Sequence, residues 1–186
     1  MKKLAIIYHS GYGHTAHFAQ HVLEGARSVS SVATELMTID QASKSLDLLA
    51  GFNGIIFGSP TYMGGVSGPF KTFMDSTSSM WMKQTLKHKL AGGFTVSGSP
   101  SGDKLNSLMS MTIFAAQHGM IWVGNSILPE TYSGAKPEEA ANRLGSFLGA
   151  MAQASQEAPE KSFVPGDLKT ATLFGKHFAE QVARIG

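Results

Sequence analysis

The chain has no cysteine among its 186 residues, which excludes disulfides, thiolate catalysis and cysteine-ligated metal or iron-sulfur centres. It also suits a reducing compartment, and the expected location is the cytoplasm. No long hydrophobic run is present: the apolar stretch after Met1-Lys2-Lys3 extends only from Leu4 to Tyr8 before His9 and Ser10 interrupt it. That is too short for a secretory core or a bilayer span, so it is read as a buried strand and membrane insertion is not expected. Charge of one sign is lacking too, with 15 basic and 13 acidic residues giving a formal +2. No polybasic block offers itself to nucleic acid or anionic lipid, and no single-sign surface suits docking by charge.

What is present begins at the end of that first run. Tyr8-His9-Ser10-Gly11-Tyr12-Gly13-His14-Thr15 passes from apolar residues into small hydroxylated residues and glycines, and an amphipathic stretch follows. The pattern predicts a strand, a phosphate-binding turn and a helix start. The turn has no lysine or arginine, so an anion there is held by backbone amides, the Ser10 and Thr15 hydroxyls and the positive end of the helix dipole. Neither Gly-Lys-Ser/Thr nor the three glycines of Gly-x-Gly-x-x-Gly occurs at this strand end, which disfavours a triphosphate and a Rossmann dinucleotide and favours one phosphomonoester. The competing reading is a tight glycine turn with no ligand.

Four further apolar runs, Val32 to Ile39, Gly54 to Ser59, Ala91 to Ser97 and Met120 to Val123, read as strands. They alternate with helical patterns at Thr15 to Arg27, Ser67 to Ser76, Lys104 to His118 and Asp167 to Arg184. Alternation of this kind predicts an α/β fold, a flavodoxin-like doubly wound parallel sheet of five strands in the order 2-1-3-4-5 between helical layers, in one domain spanning residues 1–186. Such sheets bind ligands beyond the carboxyl ends of their strands. Two more strand ends are rich in glycine and serine: Gly58 to Pro69, which includes Pro60-Thr61-Tyr62-Met63-Gly64, and Ser97-Gly98-Ser99-Pro100-Ser101-Gly102. Between Gly124 and Phe163 the pattern weakens, and a short helix from Pro137 followed by an ordered binding or subunit-contact loop is expected.

These three loops, with Phe73-Met74-Asp75-Ser76-Thr77, Trp81 and His118-Gly119-Met120, resemble the flavodoxin-like NAD(P)H:quinone oxidoreductases of the WrbA type and the related NADPH-dependent FMN reductases. The resemblance covers residues 3 to about 125 and, less closely, the last helix. It implies FMN as cofactor, NADPH or NADH as electron donor, and a quinone or free flavin as the small-molecule substrate. The FMN phosphate would sit on Ser10, Gly11, Tyr12, Gly13, His14 and Thr15, and the flavin ring against the backbone of Pro60, Thr61, Tyr62, Met63 and Gly64. Ser97, Gly98, Ser99 and Gly102 would hold the pyrimidine edge or the ribityl chain, and Gln117 would also bind the cofactor. His118 and Tyr12 are the expected catalytic side chains, and Trp81 would cover the substrate pocket of a neighbouring subunit in a homodimer or homotetramer with flavin sites at the interface. Members often carry an arginine and an aromatic where this chain has Tyr62 and Met63, and two histidines where it has Gln117 and His118. The insertion of WrbA proteins after the second strand is absent.

Other readings stand beside these. His118 next to Gly119 suits a helix C-terminal cap, Tyr12 suits a structural cap, and Trp81 with Met74, Met80 and Met82 suits ordinary packing. His17 and His21 are spaced i, i+4, but no third ligand is placed with them, so no metal site is assigned. In place of an enzyme, the chain could serve as a flavodoxin-type electron carrier or redox-sensing FMN module, or as a flavodoxin-like domain without flavin.

Overall fold

A computed structural model describes residues Met1–Gly186. Strands β1 (Lys2–Tyr8), β2 (Val32–Thr38), β3 (Gly54–Tyr62) and β5 (Leu90–Ser97) run parallel in the order β2-β1-β3-β5. Leu4 through Ile7 are fully buried, as are Ile55 and Ile56, because helices cover both faces of the sheet. On one face α1 (His14–Arg27) and α6 (Pro165–Arg184) pack Phe18, Phe174 and Phe178 against Phe94 of the sheet. On the other, α3 (Gly68–Ser76) and α5 (Lys104–Gln117) pack Phe70, Phe73 and Phe114 against Phe57. No helix is long and apolar enough to cross a membrane.

The strand count differs from the five expected. The position beyond β5 is filled by two short parallel segments. The first is β6 (Ile121–Trp122), which pairs with Leu90 and Ala91; the second is β7 (Ala150–Gln153), which pairs with Phe94 to Ser97. Residues 124–149 leave the sheet edge and return to it. Gly149 is required where they return, since a Cβ there would lie 2.3 Å from the carbonyl oxygen of Gly93. A further two-residue strand, β4 (Gly65–Val66), folds back antiparallel on β3. Met63 and Gly64, both with positive φ, form the two-residue turn between them.

The expected helix from Pro137 does not form. Asn142 adopts a left-handed φ of 48°, and the segment's polar groups bond outward: Glu138 O accepts from Gly166 N, and Asn142 N donates to the Thr170 hydroxyl. Local helical hydrogen bonds are displaced by tertiary ones. Two short helices that the sequence pattern did not predict, α2 (Ile39–Ser43) and α4 (Ser78–Met82), complete the connections. The carboxyl ends of β1, β3, β5 and β7 open toward one common edge.

Candidate functional site

At that edge lies a cavity of about 640 Å³. Four segments wall it: Ser10, Tyr12, His14 and Thr15 after β1; Pro60 and Tyr62 at the end of β3; Val96, Ser97 and Gly98 at the end of β5; and Ala154 to Pro159 after β7.

The first wall is built to receive an anion. Gly13 caps α1 in a left-handed conformation, φ 90°, and as a glycine supplies no side-chain cap of its own. Ser10 Oγ accepts from Gly13 N at 3.1 Å and from Ala16 N at 3.2 Å, which folds the turn and leaves its own proton to donate. The backbone N–H groups of Tyr12, His14 and Thr15 have no acceptor within the chain. Three free amides at a helix N-terminus, with no cation in the turn, make a cradle for one compact oxyanion such as a phosphomonoester. The glycines fit it closely. A Cβ on Gly11 would lie 2.6 Å from the Tyr62 hydroxyl oxygen, and one on Gly13 would lie 2.8 Å from Pro159 Cγ.

Tyr12 and Tyr62 meet edge to face, ring centroids 6.3 Å apart, and form an aromatic lip. Burial, with Tyr12 beside it, pushes the Tyr62 phenol up, partly offset by the Gly11 N–H. The Thr61 side chain turns away into the core, where its Oγ1 lies 2.7 Å from both Thr95 Oγ1 and Ser107 Oγ. Only backbone of Thr61 is left to face a ligand. Met63 is fully exposed at the hairpin tip, and Gly64 beside it accepts a hydrogen bond from Asn106 Nδ2. Ser99 and Gly102 do not line the cavity; they shape the loop behind Ser97 and Gly98.

The fourth wall falls in the segment expected to form an ordered binding or subunit-contact loop, but its strand and its particular residues were not read from sequence. His14 Nε2 lies 2.9 Å from the Glu157 carbonyl oxygen, tying this segment to the phosphate turn. Phe163 stacks on His17, whose ring meets His21 edge to face at a centroid distance of 5.1 Å. The signal was the short alternation Ala150-Met151-Ala152-Gln153 followed by Ala154-Ser155-Gln156. It repeats the strand-to-small-polar transition of the other loops, but four residues after a glycine are too few to separate from loop.

Gln117, His118 and Trp81 are brought together elsewhere. They line a second cavity, about 580 Å³, between α3, α4 and α5. His118 is the C-cap of α5 and is 2% exposed. The Thr77 hydroxyl donates to Met74 O, so its oxygen accepts from His118 Nε2 at 2.9 Å; this selects the tautomer protonated at Nε2 and leaves buried Nδ1 without a partner. The ring also packs edge to face on Phe114 at 4.8 Å. Within one chain His118 is the buried cap of α5, on the second cavity and not on the one that holds the anion cradle.

Burial pushes the His118 imidazole below the ordinary histidine range, and burial does the same for His9 and His177. A group whose folded pKa is lowered stabilises the fold fully above about pH 6.5, and that contribution is lost as pH falls through the folded value. Thermal unfolding should accordingly move to lower temperature from pH 7 to pH 5. A His118→Gln variant, which keeps a donor for Thr77, should lose less over that interval than the wild type; an equal loss would assign the acid sensitivity to other groups.

The fold and the cradle define a flavodoxin-like protein with free amides at a helix start on the wall of a cavity. The model of the NADPH-dependent FMN reductase family matches residues 3–132, and the chain belongs to that family, on its flavodoxin-like WrbA-type side. It is 40% identical over 190 residues to Flavodoxin FldP of Pseudomonas aeruginosa (strain UCBPP-PA14), covering 100% of this chain and 97% of that one. It is 31% identical to an NAD(P)H dehydrogenase (quinone) of Geotalea uraniireducens (strain Rf4), covering 98% of each. Among solved structures, a flavodoxin, WrbA-like protein from Agrobacterium tumefaciens is 34% identical, with a TM-score of 0.77 and 100% of both chains covered.

The residues present fit FMN. The three unpaired amides match its phosphate, the Ser10 hydroxyl adds a donor, and the cavity beyond them leads past backbone at Pro60 and the Tyr12–Tyr62 lip to Ser97 and Gly98.

Proposed function

We propose that this protein is an FMN-dependent oxidoreductase that passes two electrons from NADPH or NADH to a quinone or similar flat acceptor, the two substrates taking turns at one opening. The observation that supports it most is the set of free amides of Tyr12, His14 and Thr15 on the wall of a cavity of about 640 Å³. FMN, when bound there, supplies a ring that accepts a hydride equivalent from the donor and gives it up to the acceptor. The chain's own work is positioning and tuning. The cradle anchors the phosphate, the Pro60 to Gly64 backbone flanks the ring, and the Ser97–Gly98 loop offers polar groups to its pyrimidine edge. Tyr12 and Tyr62 give an aromatic rim, and either ring offers a face on which a nicotinamide or a quinone can stack. No side-chain nucleophile is involved. Ser99 and Gly102 support the Ser97 loop rather than touch the ligand in this reading, and Gln117 stands apart on the second cavity.

Trp81, half exposed, and the outward stripe Leu105, Met109 and Ile113 on α5 form an apolar face of a kind that monomers seldom leave uncovered. We assign it to contact with a second copy, giving a homodimer or homotetramer in which Trp81 of one subunit approaches the open side of another's cavity. The absence of cysteine accords with a cytoplasmic location. A second reading, a flavodoxin-type electron carrier, is favoured by the 40% identity to a protein named flavodoxin.

Apoprotein titrated with FMN should quench flavin fluorescence at one equivalent per chain. The loaded protein should then oxidise NADPH or NADH with benzoquinone as acceptor. Binding without NAD(P)H oxidation would select the carrier, and absence of flavin binding would overturn both readings.

A further inference from the structure

Lys104 occupies a place that opposes a cation twice over. It is the first residue of α5, where the helix dipole is positive, and its side chain is fully buried. Its Nζ donates to Ser97 Oγ at 2.8 Å, to Ser99 O at 2.6 Å and to Pro100 O at 3.0 Å, all neutral acceptors. The nearest buried carboxylate is already engaged: Asp167 takes Arg143 Nε at 2.8 Å and Nη2 at 3.0 Å, together with Gln153 N at 2.8 Å. Asp167 and Arg143 neutralise one another, so one positive charge is left in the interior without a counter-ion. Burial pushes the Lys104 ammonium down to about 8, with Asp167 acting to raise it and Arg143 to lower it further, so it remains charged at neutral pH.

The charge lies directly behind the cavity. Ser97, which accepts from Lys104, lines the wall with Gly98, and Gly98 O accepts from Gln153 Nε2 at 3.2 Å. A neutral donor would suffice to tie the loop. A buried cation supplies in addition a fixed positive potential, weakly screened, at the wall where the pyrimidine edge is read.

We infer that Lys104 is a positioning residue that holds the Ser97 to Pro100 loop and makes the pocket prefer flavin in its reduced form over its oxidised form. The inference rests on the assignment of this cavity to FMN. Flavin that takes up two electrons and one proton gains one negative charge, spread over the N1 and O2 edge. A cation behind that edge lowers the energy of the reduced state and leaves that of the neutral oxidised ring nearly unchanged. The FMN phosphate is the same in both states and cancels from the comparison.

The test compares the wild type with Lys104→Gln and Lys104→Met, measuring FMN dissociation constants with oxidised flavin and with flavin reduced by dithionite, and the midpoint potential of the bound flavin. Circular dichroism melts check that each variant folds. Lys104→Gln keeps a donor for the loop, so its affinity for oxidised FMN should stay close to that of the wild type. Its preference for reduced flavin should fall about tenfold, which is ~30 mV lower for a two-electron couple. Lys104→Met should show the same fall in preference together with weaker binding of both forms. Equal weakening of oxidised and reduced binding in both variants, or an unchanged potential, would reduce Lys104 to a loop support and overturn the inference while the FMN assignment stands. A wild type that takes up no flavin overturns both.

Discussion

Gly13→Val should raise the FMN dissociation constant about 30- to 100-fold or more while the protein still folds. Two effects add. The residue sits at φ 90°, a left-handed conformation that costs an L-residue about 1–2 kcal/mol and a β-branched one more. Its new Cβ would also stand 2.8 Å from Pro159 Cγ, so the turn or the Pro159 segment must shift. Either shift moves the amides of Tyr12, His14 and Thr15 out of register with one oxyanion, and losing about 2–3 kcal/mol of charge-assisted hydrogen bonding is a factor of 30 to 100 or more in affinity. Fluorescence titration of apoprotein with FMN measures it, and riboflavin, which lacks the phosphate, is the control. Riboflavin binding should change far less. Equal FMN affinities in variant and wild type would remove the phosphate from this turn.

Asp167→Ala should have the largest effect on stability. The Asp167 side chain is 1% exposed and that of Arg143 16%. Truncating the carboxylate leaves a largely buried guanidinium without its partner and the Gln153 backbone N–H without its acceptor. Breaking a buried pair in this way costs about 3–5 kcal/mol, and a chain of this size should then unfold about 10 °C lower. Because Gln153 ends β7 just before the Ala154 to Pro159 wall, FMN binding should weaken as well. Calorimetry or a circular dichroism melt reads the first effect and flavin titration the second. Asp75→Ala, which removes only an exposed i, i+4 pair with Lys71, is the comparison and should leave the melting temperature nearly unchanged.

The parts of the site legible from sequence are those in which local backbone chemistry and function coincide. Ser10-Gly11-Tyr12-Gly13 between an apolar strand and an amphipathic helix specifies its own turn, because glycine at a left-handed position and serine at a helix start act within a few residues of themselves. The start of the last helical pattern at Asp167, just after Pro165 and Gly166, was readable for the same reason. Asp167 was read only as part of that start; its carboxylate also meets Arg143, 24 positions away. Lys104 entered only as the first residue of a helical pattern. Nothing within several residues shows that its ammonium turns inward onto Ser97, Ser99 and Pro100.

His118 shows the opposite outcome. Its proximity to Gly119 supported a cap and its resemblance to a family motif supported catalysis. The Thr77 hydroxyl and the Phe114 ring, which meet it only after α4 and α5 have packed, placed it inside. The segment from Gly124 to Phe163 was the least readable because its hydrogen bonds are long-range. Asn142 binds Thr170, Asn125 binds Ser146, and β7 exists only because β5 offers it an edge.

By itself, the sequence determined the alternation of buried strands and helices, the uncharged anion turn and the absence of thiol chemistry, since these follow from periodicity, composition and contacts a few residues apart. Tertiary structure alone decided that the last strand position is filled twice, that the Ala154 to Pro159 wall closes the cavity, and that an unneutralised lysine stands behind Ser97. Those features depend on groups far apart in the chain being desolvated together, and a charge or a strand edge acquires its meaning only from what is buried next to it.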